Sequence, residues 1–315
     1  RSSHMTTLEP PRVTLADLRG DPRRTRTERF VRYGLFGAAF MSILISAAIV
    51  FSLIGETWTF VSQVELSQLW SDGWFPRRGM YDVKTIVVGS LLISAVAMLV
   101  AIPLGLGAAV FLSEYASPRV RKVLKPTLEI LAGIPSVVLG FFALSFVSPQ
   151  IVQRFFSDAT AFSMAAAGIG VGILVIPLMA TVSEDAMRSV PHALREASTG
   201  VGARKITTTL RVVVPASVSG LVAAFIVAVS RAIGETMVVF IAAGATGGSL
   251  FSVDIFGPGQ TMTAAMASQA AGTDQVRGEA LTFQSLFFVG MLLFLFTLGL
   301  NLAADRFVRR VRQAY

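Results

Sequence analysis

Six apolar stretches of about twenty residues or more dominate this chain, and each is long enough to cross roughly 30 Å of hydrocarbon as a helix. They lie near Arg32–Ile54, Thr85–Phe111, Leu128–Val147, Ala161–Val182, Val212–Gly244 and Phe283–Ala304. Hydrocarbon offers no water to backbone N–H and C=O groups, so runs of this length must satisfy them internally, as helices do. The expected fold class is therefore all-α integral membrane, with six transmembrane helices. Composition agrees: the 315 residues are 53% hydrophobic and only 15% charged, whereas soluble domains carry about 25% charged residues. The fifth run exceeds one crossing and is expected to tilt, bend or begin outside the hydrocarbon.

Charge placement orients these spans. Of the 27 Lys and Arg residues, 21 fall in the N-terminal segment, in the connections between spans two and three and between spans four and five, and in the C-terminal tail. The alternate connections hold only Arg77, Arg78, Lys84, Arg154 and Arg277. Positive charge stays on the cytoplasmic side, so both termini are expected there. The net charge of +8 thus belongs to membrane topology, and no nucleic-acid partner is expected.

Several chemistries are excluded. The chain has no cysteine and two histidines, and His4 falls in Arg1-Ser-Ser-His4, which reads as a vector remnant before Met5. His192 alone cannot build a multi-histidine metal site, so no metal and no catalytic residue is expected. No Gly-x4-Gly-Lys-[Ser/Thr] phosphate loop occurs, so ATP would have to be bound elsewhere. Of the two longer alternate connections, Glu56–Asp82 carries Trp58, Trp70 and Trp74, which suit a membrane–water interface. Ala245–Thr282, with its Gly257-Pro-Gly259 turn, either folds back into the bundle mouth or lies on the surface.

The connection between spans four and five is patterned like a docking element. Pro191 suits the first turn of a helix. After it, Ala193, Leu194, Ala197 and Val201 recur at helical spacing along one face. The stretch Glu196-Ala197-Ser198, three residues, Gly202, nine residues, then Val212-x-Val214-Pro215 resembles the Glu-Ala-Ala signature of ABC importer permeases. It departs from that signature at Ser198, Val212 and Val214, all by small or conservative changes. The resemblance implies a type I importer permease fold (MetI-like). It also implies that Glu196, Ala197 and Gly202 belong to a coupling helix seated on a separate ATPase subunit, which would bind ATP-Mg. The alternative is an interfacial helix lying on the membrane.

Arg231 and Glu235 stand four residues apart inside the fifth apolar run. A charge at a helix centre costs roughly 2.5–3.5 kcal/mol on insertion scales, so two of them point to charged cargo. Counting about 1.5 Å per residue from Pro215 places Arg231 about 24 Å along the span. The planar donor fork of arginine suits a tetrahedral oxyanion. Glutamate can hold the guanidinium or accept the proton of hydrogen phosphate, which sulfate lacks. Alternatively the two neutralise each other and pack the bundle. Ser230 flanks the pair. In the third span, Gly133 and Pro135 are expected to kink or break the helix, and a new start near Ser136 would turn free N–H groups inward.

Leu128-Glu-Ile-Leu-Ala-Gly-Ile-Pro-Ser-Val-Val and Ser230-Arg-Ala-Ile-Gly-Glu-Thr-Met-Val-Val are similar to the phosphate-specific permease pair of ABC importers. Gly234-Glu-Thr-Met-Val is PstC-like, whereas the PstA sister continues Gly-Glu-Thr-Ala-Pro. This resemblance, over about Thr85 to Ala304, implies one permease half of an ATP-driven inorganic phosphate importer in a bacterial inner membrane. Its implied partners are a PstA-like permease, a PstB-like ATPase dimer and a PstS-like phosphate-binding protein. Sulfate or molybdate is the alternative cargo, and an ion-gradient-driven transporter the alternative class. Domain organisation follows as a remnant (1–4), a cytoplasmic N-terminal segment (5–31), the permease domain (32–304, coupling helix about 191–205) and a cytoplasmic tail (305–315).

Overall fold

The computed structural model describes residues 22–244, 247–271 and 281–311, in two units, 1–52 and 53–315. Residues 1–4, expected to be a remnant, and most of the expected N-terminal segment lie outside the described residues. Helix α1 (Pro22–Gln63) begins well before the span expected at Arg32 and runs unbroken for 42 residues.

The core of the second unit is built on α2 (Val83–Val110) and α5 (Met164–Arg188). Their contact faces are lined by small residues. Ala97 and Ala101 of α2 and Ala167, Gly168, Val171 and Val175 of α5 are buried. A Cβ on Gly172 would lie 2.8 Å from the Ala97 carbonyl oxygen. Glycine and alanine let two backbones approach closely where lipid gives no hydrophobic drive to associate. Past Val110, α2 widens into a π-turn over Phe111–Tyr115.

The third span differs from its expected position. Residues Leu128–Ala132 end a separate helix, α3 (Pro118–Ala132), whose start is capped by Ser117. The chain then breaks over Gly133, Ile134 and Pro135, and α4 starts at Ser136. The helical rod from there to Phe155 is the membrane-length element. Proline disfavours helical geometry in the residue before it, which explains the break.

The fifth span is not one helix. A segment from Lys205 to Ala216, called α7, meets α8 (Val218–Ile233) at a 72° bend. A second break at Gly234–Thr236 precedes α9 (Met237–Ala242). Measured from the bend, Arg231 is about 20 Å along α8, in its last turn. Among the described residues, five helices are long and apolar enough to cross a membrane, or six if the bent pair counts as one span. The last is α11 (Thr282–Val311).

Between α9 and α11 the chain folds back into the bundle. Helix α10 (Met262–Ala270), capped by Thr261, buries Met262, Ala264 and Ala265. A three-stranded antiparallel sheet, β1 (Gly73–Phe75), β2 (Met80–Tyr81) and β3 (Ser249–Leu250), ties this return to the first long connection. It is a small addition to the expected all-α fold. Trp74 pairs with Tyr81 across the sheet and is buried, unlike Trp58 and Trp70, which are exposed. Its place is in a core with Phe60 and Tyr81, so it does not join an interfacial belt. The pleat turned its indole inward.

Gly89 makes this return possible. A Cβ there would overlap the backbone oxygen of Gln260. Gly89→Val is expected to cost roughly 1–3 kcal/mol by overpacking, read as a lower thermal midpoint of the detergent-solubilised protein.

Candidate functional site

Two places in the second unit carry the chemistry. The first is the break after α8. Gly234 caps the helix, its N–H bonding to the Ser230 carbonyl. Glu235 therefore lies just beyond the helix end rather than on an uninterrupted helical face. Its carboxylate is nevertheless 3.6 Å from Arg231 Nη2. The two groups differ sharply in burial. The Glu235 side chain is 3% exposed and that of Arg231 52%. Glu235 Oε1 accepts a long bond, 3.5 Å, from the N–H of Val238 in the first turn of α9. Its carbonyl accepts from Thr263 Oγ1 at 2.8 Å, which ties the break to α10. A buried carboxylate thus pairs with one nitrogen of a guanidinium on a half-exposed side chain. Such a fork can take an oxyanion without losing its anchor.

The other expected pathway residues are placed differently. Ser230 Oγ donates to Asn301 Oδ1 at 3.4 Å, so it faces α11 and not the open side of Arg231. Ser136 is the half-buried first residue of α4, after the Gly133–Pro135 break. Among the described residues it shares no hydrogen bond with Arg231. It is linked to the site through packing, because Gly140 of α4 lies against Ile241 and the Met237 carbonyl of α9.

The second place is the connection between α5 and α7, where a docking helix is expected. Helix α6 (His192–Gly200) follows Pro191, which sits one residue earlier than expected, as the cap and not in the first turn. The expected single apolar face is divided. Leu194 packs inward against a cluster of Ala109, Met187, Val190 and Val213, whereas Val201 is exposed. Arg195 pins the inner face: Nη2 lies 3.0 Å from Glu114 Oε1 and donates to the Met187 carbonyl. Glu196, Ala197 and Gly200 remain exposed on the outer face. Gly202 has φ +81°, a left-handed conformation that strains any residue with a Cβ. Its N–H bonds to the Thr199 carbonyl, closing the helix end.

A charge cluster beside this loop was not anticipated. Glu184 of α5 is fully buried, 2.8 Å from Lys125 Nζ, 3.7 Å from Arg121 Nε and 3.5 Å from Arg188 Nη1. Lys125 also pairs with Asp185 at 2.8 Å. Partial burial works against the Lys125 ammonium, but the bonds to Asp185 and Glu184 hold its pKa above the usual lysine value. A raised pKa stabilises the fold below the ordinary lysine range, and that contribution is lost as pH rises through the raised value. It is therefore intact throughout the neutral range. The sequence signal for the cluster was only the Glu184–Arg188 spacing of four. Glu184→Ala is expected to cost about 2 kcal/mol, below the 3–5 typical of a broken buried pair because its partners reach solvent. A thermal midpoint roughly 5 °C lower in detergent would report it.

The family described as "Binding-protein-dependent transport system inner membrane component" matches residues 101–313. The chain belongs to this family. As such an inner-membrane transport component it is a non-catalytic permease of ABC type. It is 30% identical over 289 residues to the phosphate transport system permease protein PstC of Mesorhizobium japonicum, covering 86% of each chain. It is 31% identical over 256 residues to PstC 1 of Mycobacterium tuberculosis, covering 75% of each. The PstC-like character of the motifs therefore extends across most of the chain. Two solved structures share the fold. One is a bacterial ABC transporter involved in the import of the acidic polysaccharide alginate, with TM-score 0.63, 15% identity, and 92% of this chain and 100% of that one covered. The other is the MetNI methionine ABC transporter in inward-facing form, with TM-score 0.54, 20% identity, and 71% and 94% covered.

Proposed function

We propose that this chain is the PstC-like permease subunit of an ATP-driven importer of inorganic phosphate and forms half of its translocation pathway. One observation carries the proposal: the buried Glu235 carboxylate holds a half-exposed Arg231 at a helix break, in a chain similar to named phosphate permeases along most of its length. Arg231 receives the oxyanion, and Glu235 positions the guanidinium or takes up the proton-bearing bond of hydrogen phosphate.

The energy comes from outside the chain. The exposed face of α6, with Glu196, Ala197 and the Gly202 turn, docks on a PstB-like ATPase dimer that binds ATP-Mg. A PstA-like permease completes the pathway, and a PstS-like binding protein delivers phosphate. The Lys and Arg distribution supports a bacterial inner-membrane location with the docking loop and both termini in the cytoplasm.

Co-purification from native membranes tests this assembly. A second permease, an ATPase and a phosphate-binding protein are the expected partners. Recovery as a lone oligomer without ATPase would overturn the assignment.

A further inference from the structure

A polar cavity of about 440 Å³ opens beside the docking helix, lined by Glu114, Arg188, His192, Arg195, Thr199 and Lys205 among others. The charges in it divide into two groups. Arg195 and Glu114 neutralise each other, with Nη2 at 3.0 Å from Oε1 and Nε at 3.5 Å from Oε2, and Ser113 Oγ also donates to Oε1 at 2.8 Å. Arg121, also in the wall, is spent on the Leu112 and Ser113 carbonyls. The remaining cations are held less tightly. Arg188 makes one loose ion pair, 3.5 Å to Glu184, and its side chain is 50% exposed. Lys205 Nζ lies 5.0 Å over the Tyr115 ring and acts on the Glu114 carboxylate only through longer-range attraction. His192 is the first residue of α6, whose start has no side-chain cap, although the Leu194 N–H bonds the Pro191 carbonyl, so the positive end of the helix dipole adds to the potential there.

We infer that this cavity is a second oxyanion site, distinct from Arg231, that takes a phosphate group between Arg188, His192 and Lys205. Two loosely held cations, a ring N–H donor and a helix start match a small dianion with several acceptor oxygens better than a single carboxylate. A water takes about 30 Å³ in the liquid, so the space holds phosphate with part of its water shell. The three groups come from the end of α5, the start of α6 and the start of α7. A bound phosphate group therefore ties the docking helix to the span before it and the bent segment after it. Occupancy resists motion of that helix, which makes the site a brake set by phosphate on the docking-loop side. The choice of phosphate rests on the proposed cargo; the cation geometry does not.

The test uses the full chain carrying Arg231→Gln, in nanodiscs of neutral lipid, titrated with radiolabelled inorganic phosphate. Saturable binding is expected, weakened at least tenfold when Arg188→Gln and Lys205→Gln are added. Unchanged melting and elution would show that the added changes leave the fold intact. Nanodiscs containing phosphatidylglycerol separate the sources. Suppressed phosphate binding there assigns the site to a lipid headgroup, and undiminished binding to free phosphate. Absence of binding, or equal binding with and without the Arg188 and Lys205 changes, would overturn the inference. Failure of the proposed import would register separately, as lost uptake by the chain with Arg231 intact.

Discussion

Arg231→Gln is expected to reduce phosphate uptake by roughly ten- to a hundredfold, the scale of one lost charge-assisted hydrogen-bonding group at about 1.5–3 kcal/mol. The change also leaves Glu235 buried without its cation, at 3% exposure, so a loss of stability accompanies the loss of transport. Arg231→Lys separates the two effects. It restores the charge beside Glu235 but not the planar fork, so stability should return while uptake stays about tenfold low. Glu235→Gln keeps the shape of the anchor and removes its charge. Uptake should fall, with the larger loss at lower pH, where phosphate carries a second proton. Initial-rate assays with phosphate and sulfate would check all three. Normal phosphate uptake by both Arg231→Lys and Glu235→Gln would mean that the site is misplaced.

The second large effect concerns the docking face. Ala197 is exposed on α6, while Arg195 and Leu194 hold the opposite face to the bundle. Ala197→Trp therefore adds bulk where the fold has room and where an ATPase cleft would not. Thermal stability should stay within about 0.5 kcal/mol of the parent, as for surface changes. ATPase co-purification and uptake should both fall at least tenfold. Gly202→Ala acts differently. It leaves the surface open but strains the φ +81° turn by roughly 1 kcal/mol, so a partial loss of coupling is expected. A parent-like yield of ATPase with Ala197→Trp would remove this face from the docking site.

The sequence made the spans, the short helix after Pro191 and the Arg231–Glu235 pair legible for clear physical reasons. Apolar length reports membrane helices directly, and a charge within one is too costly to be incidental. What it concealed was three-dimensional closure. Trp74 looked like its exposed neighbours Trp58 and Trp70, because only the pairing with Tyr81 decides which way it points. Ser230 looked like a pathway residue flanking the pair, but its hydroxyl bonds Asn301. The third span slid from Leu128 to Ser136, because apolar residues continue through the break at Gly133–Pro135 and hide it from a hydropathy reading. The Glu184 cluster joins residues nearly sixty positions apart, and no local pattern announces it.

The central claim is best tested by reconstitution. The chain, assembled with its partners in proteoliposomes with ATP on the docking-loop side, should take up phosphate from the opposite side. Uptake should depend on ATP, resist an uncoupler and fall roughly ten- to a hundredfold with Arg231→Gln. Uptake that collapses with the uncoupler while ATP persists, or that prefers sulfate to phosphate, would contradict it.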